Sequence, residues 1–268
     1  MAYNNTLPVH QAMEVRSVWR YNLEEELALI RQFATWCPYI TIDTEFPGVI
    51  YEAPTHPRHM SPEERYAFLK KNVDCLKLIQ LGLTLSTTDG EDRSCIVWEF
   101  NFQFDPLQDA HSSSSIKLLK LQGHNLWMNY FHGVDPRRFA ALMWSSGVLC
   151  NQSKTWIGFH MSYDIGYLMK VLTGTNLPDS METFQKMVWC HFGFRVYDIK
   201  HLCKLGWLGG GLEQVAGALN VKRAAGHSHH AGSDSLLAWD TFRRLKATLF
   251  MGDITPWVAG ILFGIHDN

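Results

Sequence analysis

The chain has 268 residues, 46% of them hydrophobic, and a formal net charge of -2. That is enough apolar material for one large core, and it excludes a global positive field, so any nucleic acid would have to be held locally by bound cations and small basic clusters. The six cysteines never approach closer than thirteen positions, which excludes Cys-x-x-Cys zinc or redox spacing and suits a reducing nucleocytoplasmic setting. Met1 to Arg20 lacks the apolar core of a signal peptide, and the longest apolar run, Trp257 to Ile265, falls well short of the roughly 20 residues that span a bilayer. A soluble protein acting in cytoplasm and nucleus, with no membrane partner, is the expectation.

Asn22 with Glu25 reads as a capping box for a helix carrying Leu23, Leu27, Ile30 and Phe33, stopped by Pro38. A strand follows, Tyr39 to Phe46. With a period of two, Ile40, Ile42, Thr44 and Phe46 share one face, while Tyr39, Thr41, Asp43 and Glu45 share the other. Ser61-Pro62-Glu63-Glu64 starts a second helix, running to about Asp74. Strands Leu78 to Leu85 and Ser94 to Phe102 are joined by a Thr87-Thr88-Asp89-Gly90 turn. A helix bearing Ile116, Leu118 and Leu119 comes next, then one opened by Asp135-Pro136 and ended at Gly147. Thr155 to Phe159 is a fourth strand, leading to His160 and a helix from Tyr163 to Thr173. A short strand near Arg195 to Tyr197 precedes a helix capped by Asp198. Two more helices span Leu212 to Asn220 and about His230 to Phe250. This order predicts an α/β fold, a mixed five- to six-stranded sheet covered by helices on both faces.

Two carboxylates on one strand face contradict the strand's own preference and call for a compensating partner. Asp164 opens its helix along a stripe with Leu168 and Val171 and is expected to face inward; taken alone, it reads equally as an acid answering the helix dipole. In Gly226-His227-Ser228-His229-His230-Ala231-Gly232-Ser233-Asp234, small residues bring backbone close to a ligand, with His229 on a loop and Asp234 on the buried side of a helix start. Four carboxylates in one cleft repel one another unless cations neutralise them. An all-oxygen donor set points to two divalent cations, Mg²⁺ or Mn²⁺, the pairing that serves in-line phosphodiester hydrolysis. His229 is the group suited to take a proton from water near neutral pH.

Asp43-Thr44-Glu45, His160 with Asp164, and His229 with Asp234 resemble the three motifs of the histidine-containing branch of DEDD 3′-to-5′ exonucleases. Ile42 to Gly48, Leu78 to Thr84, Tyr163 to Leu168 and His229 to Leu237 are closer still to the Caf/Pop-type deadenylase subunit of the Ccr-Not complex, and the wording suggests a plant member. The resemblance spans roughly Val15 to Phe250. It implies an RNase H-like fold and a poly(A)-specific exoribonuclease releasing 5′-AMP from mRNA tails. Asp43, Glu45, Asp164 and Asp234 would ligate metal and His229 would act as general base. The implied partners are poly(A) RNA, the helical scaffold subunit of that complex and a second deadenylase subunit. One exonuclease domain over 1-268 follows, with its core at about 15-250 and a divergent tail at 251-268. Met161-Ser162 replaces the usual Ser-Gly, so contacts to RNA there are expected to differ.

Three residues near the acids, Phe46, Leu81 and His160, are candidate substrate contacts. Periodicity alone makes Phe46 and Leu81 core residues, and His160 ends a strand where a hydrogen bond would satisfy it. Asp198 reads as a helix cap, Lys222-Arg223 and the other basic pairs as solvated faces, and His227 with His230 as a polar loop in place of a zinc site. Two alternatives stay open, a DEDD-type exonuclease on DNA or structured RNA, and a scaffold whose nuclease site has decayed; intact acids at all four positions argue against the second.

Overall fold

The computed structural model describes residues 14–88 and 95–267. Strands β1 (Val15–Val18), β2 (Tyr39–Glu45), β3 (Gln80–Ser86), β4 (Cys95–Asn101), β5 (Thr155–Gly158) and β6 (Val196–Asp198) form a six-stranded sheet in the order β1-β4-β3-β2-β5-β6. The strands β2, β3 and β4 run antiparallel, with Asp43 opposite Gly82 and Glu45 opposite Gln80. At the two flanks β1 pairs parallel with β4, β5 with β2, and β6 with β5.

The alternation within β2 divides the core. Ile40 and Ile42 point to one face and pack beneath α1 (Leu23–Ala34), α2 (Pro62–Cys75), α5 (Pro136–Trp144), α6 (Ser162–Thr173) and α7 (Met181–Phe192). Tyr39 points to the other face, into the cluster under α8 (Ile199–Leu205), α9 (Leu212–Ala218) and α10 (Ala231–Leu249). Two further helices, α3 (Ser113–Leu121) and α4 (Leu126–His132), close the site end of the sheet, where the Asn129 amide donates to the Phe102 carbonyl at 2.9 Å. Apolar area buried on both faces, at about 25 cal/mol per Å², is what holds the layers together.

Several sequence expectations need correction. The short edge strand β1 and the helices α4 and α7 are not marked by the sequence pattern. Asn22 makes no capping bond to α1; its Oδ1 instead accepts the Trp19 N–H at 2.8 Å, because the chain turns back from β1 there. Ser61 does form the full capping box of α2. Leu118 is exposed while Ile116 and Leu119 are buried, since residues three apart share a helix face and Leu118 is turned well away from both. Asp89-Gly90 of the expected turn lies outside the described residues. The tail is no appendage, since Leu262 and Ile265 are 0% exposed and belong to the larger core cluster.

Candidate active site

The acids reach one place from both faces of the sheet. Asp43 and Glu45 lie on the α10 face at the end of β2, and Asp234 comes from the first turn of α10. What brings α10 so close is Gly82 of β3. A Cβ there would fall 1.8 Å from the Ala231 carbonyl oxygen, so only glycine lets the helix start lie against the strand. The Ser235 hydroxyl, 2.9 Å from that of Thr84, fixes the same contact. Asp164 approaches from the opposite face, within the first turn of α6, where Thr44 donates a short hydrogen bond to its Oδ1. Asp43 and Glu45 are partly buried, Asp164 and Asp234 almost wholly so.

Crowding makes these carboxyls hard to ionise. Burial, reinforced by Asp164, Asp234 and Glu45, pushes Asp43 well above the ordinary carboxylate range. Burial and the neighbouring acids push Glu45 up to about 8. Asp164 rises to about 7, chiefly through burial, with the Thr44 hydroxyl holding it back. Asp234 also rises through burial, against the pull of Arg223. Four acids with proton affinities raised this far form a site that either keeps protons or exchanges them for cations.

The donors suit a divalent metal. One atom each from Glu45, His229 and Asp234 lie within 4.8 Å of one another. Arg223 Nη2 lies 2.5 Å from Asp234 Oδ1, an ion pair that holds this buried oxygen from the side of α9. A donor set rich in carboxylate oxygens fits Mg²⁺ or Mn²⁺, and among the described residues no thiolate joins it.

His229 lies on the exposed loop before α10, in the left-handed region with φ of 60°, its N–H donating to Asp234 Oδ2 at 2.9 Å. Behind it, His230 sits next to Glu99, which raises its proton affinity, and its Nε2 is 2.9 Å from the Gln122 carbonyl. Glu99 Oε2 in turn accepts the Gly232 N–H at 3.1 Å. His230 is thus tied into the wall, as a polar loop residue would be.

Of the candidate substrate contacts, Phe46 is half-buried and lies against Tyr163 and Tyr167, with ring centroids 5.2 and 4.8 Å away. His160 places its ring edge-to-face on Phe263, 5.0 Å between centroids, with its N–H held by Asp198 Oδ1. Leu81 is a correction: it is 0% exposed and points into the core with Leu83 and Leu85, so it touches no substrate.

Two residues do more than the sequence indicated. Asp198 caps α8 through the Lys200 N–H, as expected, but also accepts the N–H groups of His160, Met161 and Phe263, so one carboxylate gathers three segments behind Asp164. Arg223 is no solvated cation: it bridges Glu213 of α9, Ser233 and Asp234. The Asp-before-helix pattern could have flagged the first; nothing local marks the second.

Comparison with solved structures places this arrangement in a class. Fission yeast Pop2p in its Mg²⁺ and Mn²⁺ bound form superposes with a TM-score of 0.87 at 36% identity, covering 93% of this chain and 99% of that one. The CAF1 chain co-crystallised with the yeast NOT1 MIF4G domain gives 0.77 at 29% identity, covering 96% of this chain and 100% of that one. A more distant neighbour, Escherichia coli exonuclease I with a dA16 oligonucleotide, gives 0.52 at 13% identity over 80% of this chain and 42% of that one, which shows a shared fold alone. The fold is therefore the RNase H-like mixed sheet found in exonucleases. The CAF1 family ribonuclease profile matches residues 18–135 and 137–228. The chain is 43% identical over 262 residues to the probable CCR4-associated factor 1 homolog 7 of Arabidopsis thaliana, covering 95% of this chain and 94% of that one. It is 36% identical over 258 residues to poly(A) ribonuclease pop2 of Schizosaccharomyces pombe, covering 95% and 76%. The protein belongs to the CAF1 family of ribonucleases.

Proposed function

We propose that the protein is a poly(A)-specific 3′-to-5′ exoribonuclease that hydrolyses the terminal phosphodiester bond of mRNA tails and releases 5′-AMP. The observation that carries this is the meeting of Asp43, Glu45, Asp164 and Asp234 beside His229, in a chain of the CAF1 family. Asp43, Glu45, Asp164 and Asp234 would hold two divalent cations, Mg²⁺ or Mn²⁺. When bound, such ions lower the pKa of a water and stabilise the leaving oxygen. The chain's own residues do the rest. Thr44 donates to Asp164 Oδ1, which favours the ionised form against the effect of burial and fixes the direction of the carboxyl. Arg223 holds Asp234 in register with the loop that carries His229. His229, exposed and adjacent, accepts the proton from the attacking water. The exposed part of Phe46 is available to the terminal base, and His160 to the chain beyond it.

The whole described chain works as one domain, tail included. Its partners are poly(A) RNA and the scaffold subunit of the Ccr-Not complex, the reading supported by the NOT1 co-crystal of its relative; a second deadenylase subunit and residence in cytoplasm and nucleus belong to the same proposal. The test is incubation of the protein with Mg²⁺ or Mn²⁺ and labelled RNAs ending in A or in another base. Stepwise loss of AMP from the A-ended RNA is expected, and Asp43→Ala should abolish it with the circular dichroism spectrum unchanged. Full activity in Asp43→Ala, or equal trimming of a DNA oligomer, would refute the assignment.

A further inference from the structure

We propose that His124 is a positioning residue for the reaction, fixing the direction of the His229 imidazole by gripping its backbone from the loop between α3 and α4. The inference rests on the role given above to His229. A residue with a Cβ is strained in the left-handed region, and it stays there only when its surroundings over-determine it. Both backbone groups of His229 are engaged: its N–H by Asp234 Oδ2 at 2.9 Å, and its carbonyl by His124 Nε2 at 2.6 Å. A carbonyl accepts, so His124 carries its proton on Nε2.

His124 is 6% exposed, a place where a polar side chain without a partner is costly. Its ring lies flat against that of His230, 4.5 Å between centroids and 11° between planes. His230 returns the contact by donating from Nε2 to the Gln122 carbonyl at 2.9 Å. The two loops thus exchange one imidazole-to-carbonyl bond each, across a stacked pair. Any aromatic ring could supply the stack at position 124. Only a donor can hold the His229 carbonyl, and that bond is what reaches the site.

Three forms of the full chain, wild type, His124→Phe and His124→Gln, are assayed on oligo(A) RNA with Mg²⁺, with histidine resonances followed in ¹⁵N-labelled protein. His124→Phe keeps the ring and loses the donor; kcat is expected to fall about ten-fold with KM for the RNA unchanged, the cost of a misdirected group. His124→Gln keeps a donor of similar reach and should recover most of that loss, and the His229 ring signals should shift in the first variant and return in the second. A His124→Phe enzyme with wild-type kcat, or a loss that His124→Gln leaves uncorrected, overturns the inference. Failure of the wild type to release AMP would instead sink the proposed function. The wild-type spectrum then still decides the contact, since a rapidly exchanging His124 Nε2 proton would mean that the grip is absent.

Discussion

Each carboxyl of the site has a raised proton affinity for a reason visible around it, and this fixes how the metal-free protein responds to pH. A group whose folded pKa lies above its unfolded value binds protons more tightly in the folded state. Its stabilising contribution is therefore complete below the unfolded value, near 4, and is lost as pH rises through the folded one. With Asp164 at about 7 and Glu45 at about 8, the melting temperature of metal-free protein should fall as pH rises from 5 to 8.5. Mn²⁺ at a hundred times its dissociation constant should restore about 2.7 kcal/mol of stability at the upper end. A flat profile in chelator, read by calorimetry, would contradict the crowding. His229 is proposed as the proton acceptor and not as a metal ligand, although one of its nitrogens lies within 4.8 Å of oxygens of Glu45 and Asp234. His229→Ala should lower kcat by about a hundred-fold with Mn²⁺ affinity, measured by titration calorimetry, kept within a few-fold.

The elements deliver these residues by simple devices. The period-two pattern of β2 puts Asp43 and Glu45 on one face and Thr44 on the other, so a single strand carries two of the clustered acids on one side and positions Asp164 on the other. Gly82 then decides how near α10 can come. Gly82→Ala would drive a methyl group into the Ala231 backbone, which has no flexible end to yield. Both the strand pairing and the start of α10 must shift. We expect a loss of about 2 to 4 kcal/mol by urea unfolding, with Mn²⁺ affinity reduced more than stability alone explains. Wild-type affinity in a folded Gly82→Ala protein would show that α10 is not set by this contact. What the sequence made legible follows from the same devices. Alternation and helical spacing exposed the acids, and Ser61-Pro62-Glu63-Glu64 exposed the start of α2. A four-residue edge strand such as β1 is too short for a period to show, and Asn22 makes its bond to a preceding turn that local spacing does not reveal. Arg223 and His124 were illegible because each owes its role to a partner more than nine positions away.

Across the whole molecule, the site depends on residues that never touch it. Asp198, 0% exposed, collects N–H groups from the turn after β5, from the start of α8 and from Phe263 of the tail. Arg65 of α2 donates to the Ile265 carbonyl at 2.7 Å, and Leu262 fills the core beneath. Leu262→Ala should cost about 2 to 5 kcal/mol and lower the temperature at which AMP release is lost, with kcat at low temperature nearly unchanged. An unaltered melting temperature would mean that the tail is dispensable.

The anchoring of Phe263 on Asp198 bears on the timing of activity during synthesis. Asp43 leaves the ribosome early, Asp234 much later, and the segment that closes the wall behind Asp164 later still. A growing chain therefore carries Asp43 and Glu45 long before Asp234 and Phe263 follow, and the wall behind Asp164 can close only once that last segment has emerged.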